Sequence, residues 1–226
     1  MYPKFLRWNI IKIENIKIQY PDKFGIKDKL RNNQEHNPEF LDLTLKSYEL
    51  LSLLQNQKLA ITESLRINKN VSIFEHQIRA AQRVKNDLGG SALLSDEVGL
   101  GKTVEAGIII KEFLMTSLAK NVLILAPPSL LLQWQDEMMS KFNLDFVSQK
   151  GDSRFTNVSS HNLLLMSHAS AVFPNYSEAL KNIFWDIIVV DEAHSMKNSQ
   201  THKHKLVQNL SKRHLLLLSA TPVQNN

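Results

Sequence analysis

Apolar residues gather into short unbroken runs over the second two thirds of the chain. The runs at 91–95, 121–126, 161–166, 186–190 and 215–218 each stop at polar or turn-forming residues, and a weaker run lies at 145–148. Runs of this length with no polar alternation predict strands buried on both faces. The segments between them have apolar positions at helical spacing. They predict a helix over 74–87 that ends at Gly89 and Gly90, one over 102–118, and one over 129–141 with Ser129 as its cap. Buried strands alternating with helices predict an α/β fold, a mostly parallel sheet with helices on both faces. Ligands of such sheets collect at the carboxyl ends of the strands.

The first 70 residues read differently. Ile11, Ile13, Ile16 and Ile18 alternate loosely with polar residues and predict short strands or an extended arm. A polar stretch with Pro21, Gly25, Asn32 and Asn33 predicts a loop over 21–37, and a helix is expected over 38–57 with Pro38 near its first turn. A polar break at 67–70 divides the chain into an appendage, 1–70, with no chemistry apparent in it, and a lobe, 71–226.

Each strand end in the lobe is followed by residues with chemistry. The run 91–95 leads into DEVGLGKT, made of Asp96, Glu97, Val98, Gly99, Leu100, Gly101, Lys102 and Thr103. Glycines let a backbone close around an anion, a lysine reaches β- and γ-phosphates, and a threonine hydroxyl ligates Mg²⁺. The helix that follows, entered through Val104, turns its positive end to the same place. Taken alone, an ordinary glycine-rich strand–helix turn remains as the lesser alternative, and the general phosphate-loop pattern has Gly where this chain has Asp96.

The run 186–190 delivers Asp191 and Glu192, followed by Ala193 and His194, 88 residues beyond Thr103. Asp191 is placed to hold Mg²⁺ and Glu192 to orient or deprotonate water. The last strand ends in Ser219, Ala220 and Thr221, whose hydroxyls, with His194, could couple nucleotide state to a neighbouring surface. Pro128, Ser129 and Gln133 follow the 121–126 strand, and Ser167 and His168 follow the 161–166 strand; both corners suit nucleic-acid phosphates. Trp134 reads as a packing residue rather than a base-stacking one. The Gln77 amide can donate to and accept from an adenine edge, although a solvent-facing helix glutamine has the same signature. His202, His204 and His214 lack the company of Cys or an HExxH pattern and read as solvated helix residues rather than a metal site.

Composition narrows the class. Charged residues make up 22% and hydrophobic ones 43%, as in a globular domain, and no apolar run reaches the length of a membrane span. Zero cysteines exclude disulfides, thiolate zinc sites and thiol catalysis, and fit a reducing cytoplasm. The net charge of +5 is uneven: 12 basic against 8 acidic residues lie in 1–70, and 15 against 14 in the remainder. That surplus permits contact with nucleic acid without requiring it.

Together these motifs resemble the first motor lobe of superfamily-two helicases, and within it the Swi/Snf-like DNA translocases. FEHQ at 74–77 resembles the adenine-reading glutamine motif, and DEVGLGKT is similar to motif I of this branch, which has Asp first. LILAPPSLLLQW at 123–134 resembles motif Ia, Ser167-His168 stands where motif Ib would be, DEAH at 191–194 resembles motif II, and SATPVQNN at 219–226 resembles motif III. The resemblance implies a RecA-like lobe binding ATP and Mg²⁺, with double-stranded DNA as the track of the complete motor. It implies a second RecA-like lobe, in cis or in trans, and among bacterial members RNA polymerase or a defence-system partner. Motifs IV to VI do not occur in the chain, so one lobe alone is expected to be nearly inactive. A DEAH-type RNA helicase lobe and a non-enzymatic docking lobe are the alternatives; a P-loop kinase leaves 123–134 and 219–226 unexplained.

Overall fold

The computed structural model describes residues 9–11, 46, 59–61, 73–95, 101–196 and 201–220. The helix expected over 38–57 lies outside them, apart from Lys46, which is helical.

Among the described residues seven strands form one sheet: β1 (Asn9–Ile11), β2 (Ala92–Ser95), β3 (Val122–Ala126), β4 (Val147–Ser148), β5 (Leu163–Ser167), β6 (Trp185–Val190) and β7 (Lys212–Ser219). Their spatial order is β1-β2-β7-β6-β3-β5-β4, with β2 to β7 all parallel and β1 antiparallel to β2 at the edge. The helices are α1 (Glu75–Asn86), α2 (Lys102–Met115), α3 (Leu131–Phe142), α4 (His168–Ala171), α5 (Pro174–Lys181) and α6 (His202–Asn209). The expected α/β fold is therefore present, and each apolar run from residue 91 onward lies on a strand.

Alternation along the strands assigns the two cores. Val122, Ile124, Ile187, Val189, Leu216 and Leu218 pack with α1, α2 and α3. Leu123, Leu125, Ile188, Val190 and Leu215 face the other way, towards Ala171, Leu180, Leu206 and Val207 on α4, α5 and α6. Burial on both sides is why these strands read as unbroken apolar runs. Helices α2 and α3 approach so closely that a Cβ on Gly107 would run into the Phe142 ring.

Two boundaries shift for physical reasons. Helix α3 begins two residues later than expected, with Leu130 at the cap position and no side-chain cap, so Ser129 lies in the preceding turn. Strand β7 extends back to Lys212, whose Nζ is buried and donates to the Val207 (2.7 Å), Leu210 (3.0 Å) and Gln208 (3.4 Å) carbonyls at the end of α6. Burial lowers the Lys212 pKa to about 8.

The segment before residue 70 is not separate from the lobe where it is described. β1 extends the sheet, and Leu59 and Ile61 belong to the core beside α2. Buried Glu112 on α2 fixes this contact, accepting from the Ile61 amide (3.0 Å) and from Lys85 Nζ on α1 (2.7 Å). Such an ion pair stabilises only while both partners are present.

Candidate functional site

Register brings the strand ends to one edge. Ser95 pairs with Ser219, Leu217 with Val190, Val190 with Leu125, and Ala126 with Ser167. The exit of β2, Ser219 at the end of β7 with Ala220 after it, Asp191 after β6 and the turn 127–130 after β3 therefore share that edge. Neighbouring strands lie about 4.8 Å apart, so the ends of β2 and β6 are about 10 Å from one another with the end of β7 between them. Ser219 is buried in that intermediate position. Thr221 lies outside the described residues.

Asp96, Glu97, Val98, Gly99 and Leu100 also lie outside them, but the loop's last residue is informative. Gly101 caps α2 at φ +90° and ψ 31°, a left-handed conformation that an L side chain resists. A Cβ there would also collide with the Gln77 amide. Lys102 and Thr103 open the 14-residue α2, whose positive end is thus at the carboxyl edge. Val104 departs from the expected set: its side chain is buried in the core, leaving only its backbone at the loop.

Gln77 is not solvent-facing; it is 2% exposed. Its Oε1 accepts from the Phe74 amide at 3.1 Å, and its amide backs Gly101. The side chain acts as a strut beneath the loop's exit, which a lone glutamine in a helical pattern does not reveal.

Asp191 is held from several sides. Its amide donates to the Leu125 carbonyl (2.8 Å), its Oδ1 accepts from the Glu192 amide (2.8 Å), and its Oδ2 accepts from Trp134 Nε1 (2.8 Å). Glu192 has φ +50°, left-handed for a non-glycine residue, a strain of about 1–3 kcal/mol that persists where surrounding structure enforces it. Its Oε2 lies 2.9 Å from His194 Nδ1.

The expected nucleic-acid residues divide. Pro128, Ser129 and Gln133 are exposed, and Gln133 Nε2 donates to Glu137 at 2.9 Å. Ser167 and His168 are buried, so their side chains do not reach a surface ligand. Ser167 instead caps α4, accepting from the Ser170 amide at 2.9 Å. His168 Nε2 is 3.1 Å from the Leu125 carbonyl. Burial lowers its pKa to about 4, helped by Lys203 and opposed by hydrogen bonds to the Leu125 and Asp191 backbone, so the ring is neutral at pH 7.

His202 and His204 are on α6 as expected, but His214 is on β7, its Nδ1 3.0 Å from the Gly89 carbonyl and its ring edge-on to Phe113. Among the described residues no group of three or more His, Asp or Glu forms a metal cage, and no helix is long and apolar enough to cross a membrane. The donors at the edge, a threonine hydroxyl and an aspartate, fit a hard cation completed by phosphate and water. The space left by the missing Cβ of Gly101 is filled by the Gln77 amide, and the start of α2 behind it turns its positive end to a phosphate.

Known proteins match this arrangement. A sequence profile of the SNF2-related domain matches residues 50–226. An uncharacterized ATP-dependent helicase of Bacillus subtilis, YqhH, is 43% identical over 150 residues, covering 66% of this chain and 26% of that protein. The RNA polymerase-associated protein RapA of Sodalis glossinidius is 39% identical over 168 residues, covering 68% of this chain and 17% of its own length. The SWI2/SNF2 ATPase core of Sulfolobus solfataricus, solved in complex with dsDNA, superposes with a TM-score of 0.63 at 27% identity, covering 70% of this chain and 34% of that one. The chain thus spans about a third or less of the proteins it resembles. It belongs to the SNF2-related family, whose members use a nucleotide and a metal ion, and it carries that family's first RecA-like lobe.

Proposed function

We infer that this lobe binds ATP with Mg²⁺ and supplies half the catalytic site of a motor that moves along duplex DNA. The observation that carries the reading is the shared edge, where β2, β7 and β6 end side by side and the α2 N-terminus behind Gly101, buried Ser219 and the fixed carboxylate of Asp191 lie at those ends. Asp96, Glu97, Val98, Gly99, Leu100 and Gly101 form the cradle. Lys102 meets the β- and γ-phosphates, and Gln77 supports the cradle while its family position faces adenine. Thr103 and Asp191 hold the cation, which when bound neutralises charge developing on the transferred phosphoryl group. Glu192 orients the attacking water and accepts its proton. Ser219, Ala220, Thr221 and His194 relay the outcome to the second lobe.

Pro128, Ser129 and Gln133 present the surface for a DNA strand, and Ser167 and His168 support that corner from within. RNA polymerase is a candidate partner because a relative is named for that association. The full site needs a second lobe, whose arginine supplied across the interface typically contributes about 10³–10⁵ in rate. A polypeptide of residues 1–226 should therefore bind nucleotide and turn it over slowly.

The test is phosphate release at saturating ATP from residues 1–226 joined to the second lobe of a SNF2-family relative. Turnover should rise with duplex DNA and not with RNA of the same length. Equal stimulation by RNA, or none by either, would overturn the duplex-DNA assignment.

A further inference from the structure

Trp134 is 2% exposed and Asp191 8% exposed, and the indole N–H donates to one carboxylate oxygen at 2.8 Å. The other oxygen accepts from the Glu192 amide. Two donors thus fix the carboxylate plane and leave the remaining lone pairs for a cation and its water. Trp134 stands in the first turn of α3, just past the exposed turn 127–130. The strand leading into that turn holds Asp191 as well, because the Leu125 carbonyl accepts the Asp191 amide. The turn is therefore tied to Asp191 on both sides, through the backbone before it and the indole after it.

We propose that Trp134 is a positioning residue that orients the Asp191 carboxylate for the divalent cation and links that cation to the surface turn 127–130. The inference rests on the nucleotide-site reading above. Groups that hold a metal's ligand from behind set its orientation, and losing one typically lowers metal affinity about 10–100-fold. Because coupling is reciprocal, a ligand that shifts the turn changes metal affinity, and metal binding changes affinity at the turn. Packing alone does not require the bond, since phenylalanine fills most of the same space.

The experiment measures the Mg²⁺ concentration giving half-maximal binding of a fluorescent non-hydrolysable ATP analogue to residues 1–226. In Trp134→Phe that concentration should rise about tenfold, while analogue affinity in EDTA stays within twofold of the parent. In an Asp191→Ala background the same substitution should leave the midpoint unchanged, because the acceptor of the indole N–H is gone. A parental midpoint in Trp134→Phe, or an equal shift with and without Asp191, overturns the inference. Should that variant not fold, the parent decides by the Trp134 indole proton resonance. It should move when Mg²⁺ joins the bound analogue, while that of Trp185, which donates to the Leu180 carbonyl, stays still; an unmoved Trp134 resonance overturns the inference. Absence of any metal-dependent binding by the parent would instead refute the nucleotide-site reading, and this inference with it.

Discussion

Gly101→Ala should disable the site and destabilise the lobe, by an amount the structure allows to be worked out. The residue sits at φ +90°, beyond the left-handed region other residues tolerate, and imposing an alanine there costs about 1–3 kcal/mol. The new methyl also displaces the Gln77 amide, whose Oε1 bond to the Phe74 amide is worth about 1 kcal/mol. The total is about 2–4 kcal/mol if the loop holds its shape, which for a chain of this size lowers the melting temperature by about 5–15 °C. Nucleotide affinity should fall in parallel, since the clash lies at the last residue of the cradle. Thermal denaturation and analogue titration measure both effects. Gln77→Ala removes the same bond by itself, so adding it to Gly101→Ala should cost little more, whereas in the parent it should cost about 1 kcal/mol. Parental stability and affinity in Gly101→Ala would refute the geometry assigned to this turn. An equal loss from Gln77→Ala in the parent and in the Gly101→Ala background would refute the contact.

Two further outcomes follow from the same edge and its surroundings. Glu192→Gln, in a two-lobed protein, should keep nucleotide binding and lose phosphate release by about 10²–10⁴-fold; parental turnover would remove Glu192 from the chemistry. His214 has its pKa lowered to about 4, chiefly by burial, with the Gly89 carbonyl opposing, against about 6.5 in the unfolded chain. The unfolded state therefore takes up the proton first. The stability that neutral His214 contributes is fully present above about pH 6.5 and is lost as the pH falls towards 4. Urea midpoints from pH 4 to 7 should show a slope that flattens in His214→Gln, and an unchanged slope would place the ring in solvent.

How much of this could be read from the sequence depended on where the signal was local. Strands buried on both faces announce themselves as apolar runs, so β2, β3, β5 and β6 were expected within about two residues at either end. The start of β7 was hidden because Lys212, Arg213 and His214 are polar. Lys212 tolerates burial only because three carbonyls at the end of α6 receive its ammonium. That partnership is tertiary and leaves no periodic trace. Helix α5 was also missed, although Pro174 at its first position is a recognised start signal.

The site divided in the same way. Lys102, Thr103, Asp191 and Glu192 stand out in the sequence because glycine spacing and an acidic pair at a strand end are local patterns, and the roles given to them belong to the proposed function. Ser167 and His168 looked like surface ligands because polar residues follow an apolar run. In the fold they turn inward, one to cap α4 and the other to the Leu125 carbonyl. Trp134 reads as a packing residue and is buried, but its bond to Asp191 joins residues 57 apart and leaves no local signal.

The measurement that bears most directly on the account is equilibrium titration of residues 1–226 with a fluorescent ATP analogue and Mg²⁺, comparing the parent with Lys102→Ala. Saturable, Mg²⁺-dependent binding by the parent, lost in Lys102→Ala while its melting temperature is preserved, is the predicted result. Equal affinity in the two proteins would contradict the assignment of a nucleotide site to this edge of the sheet.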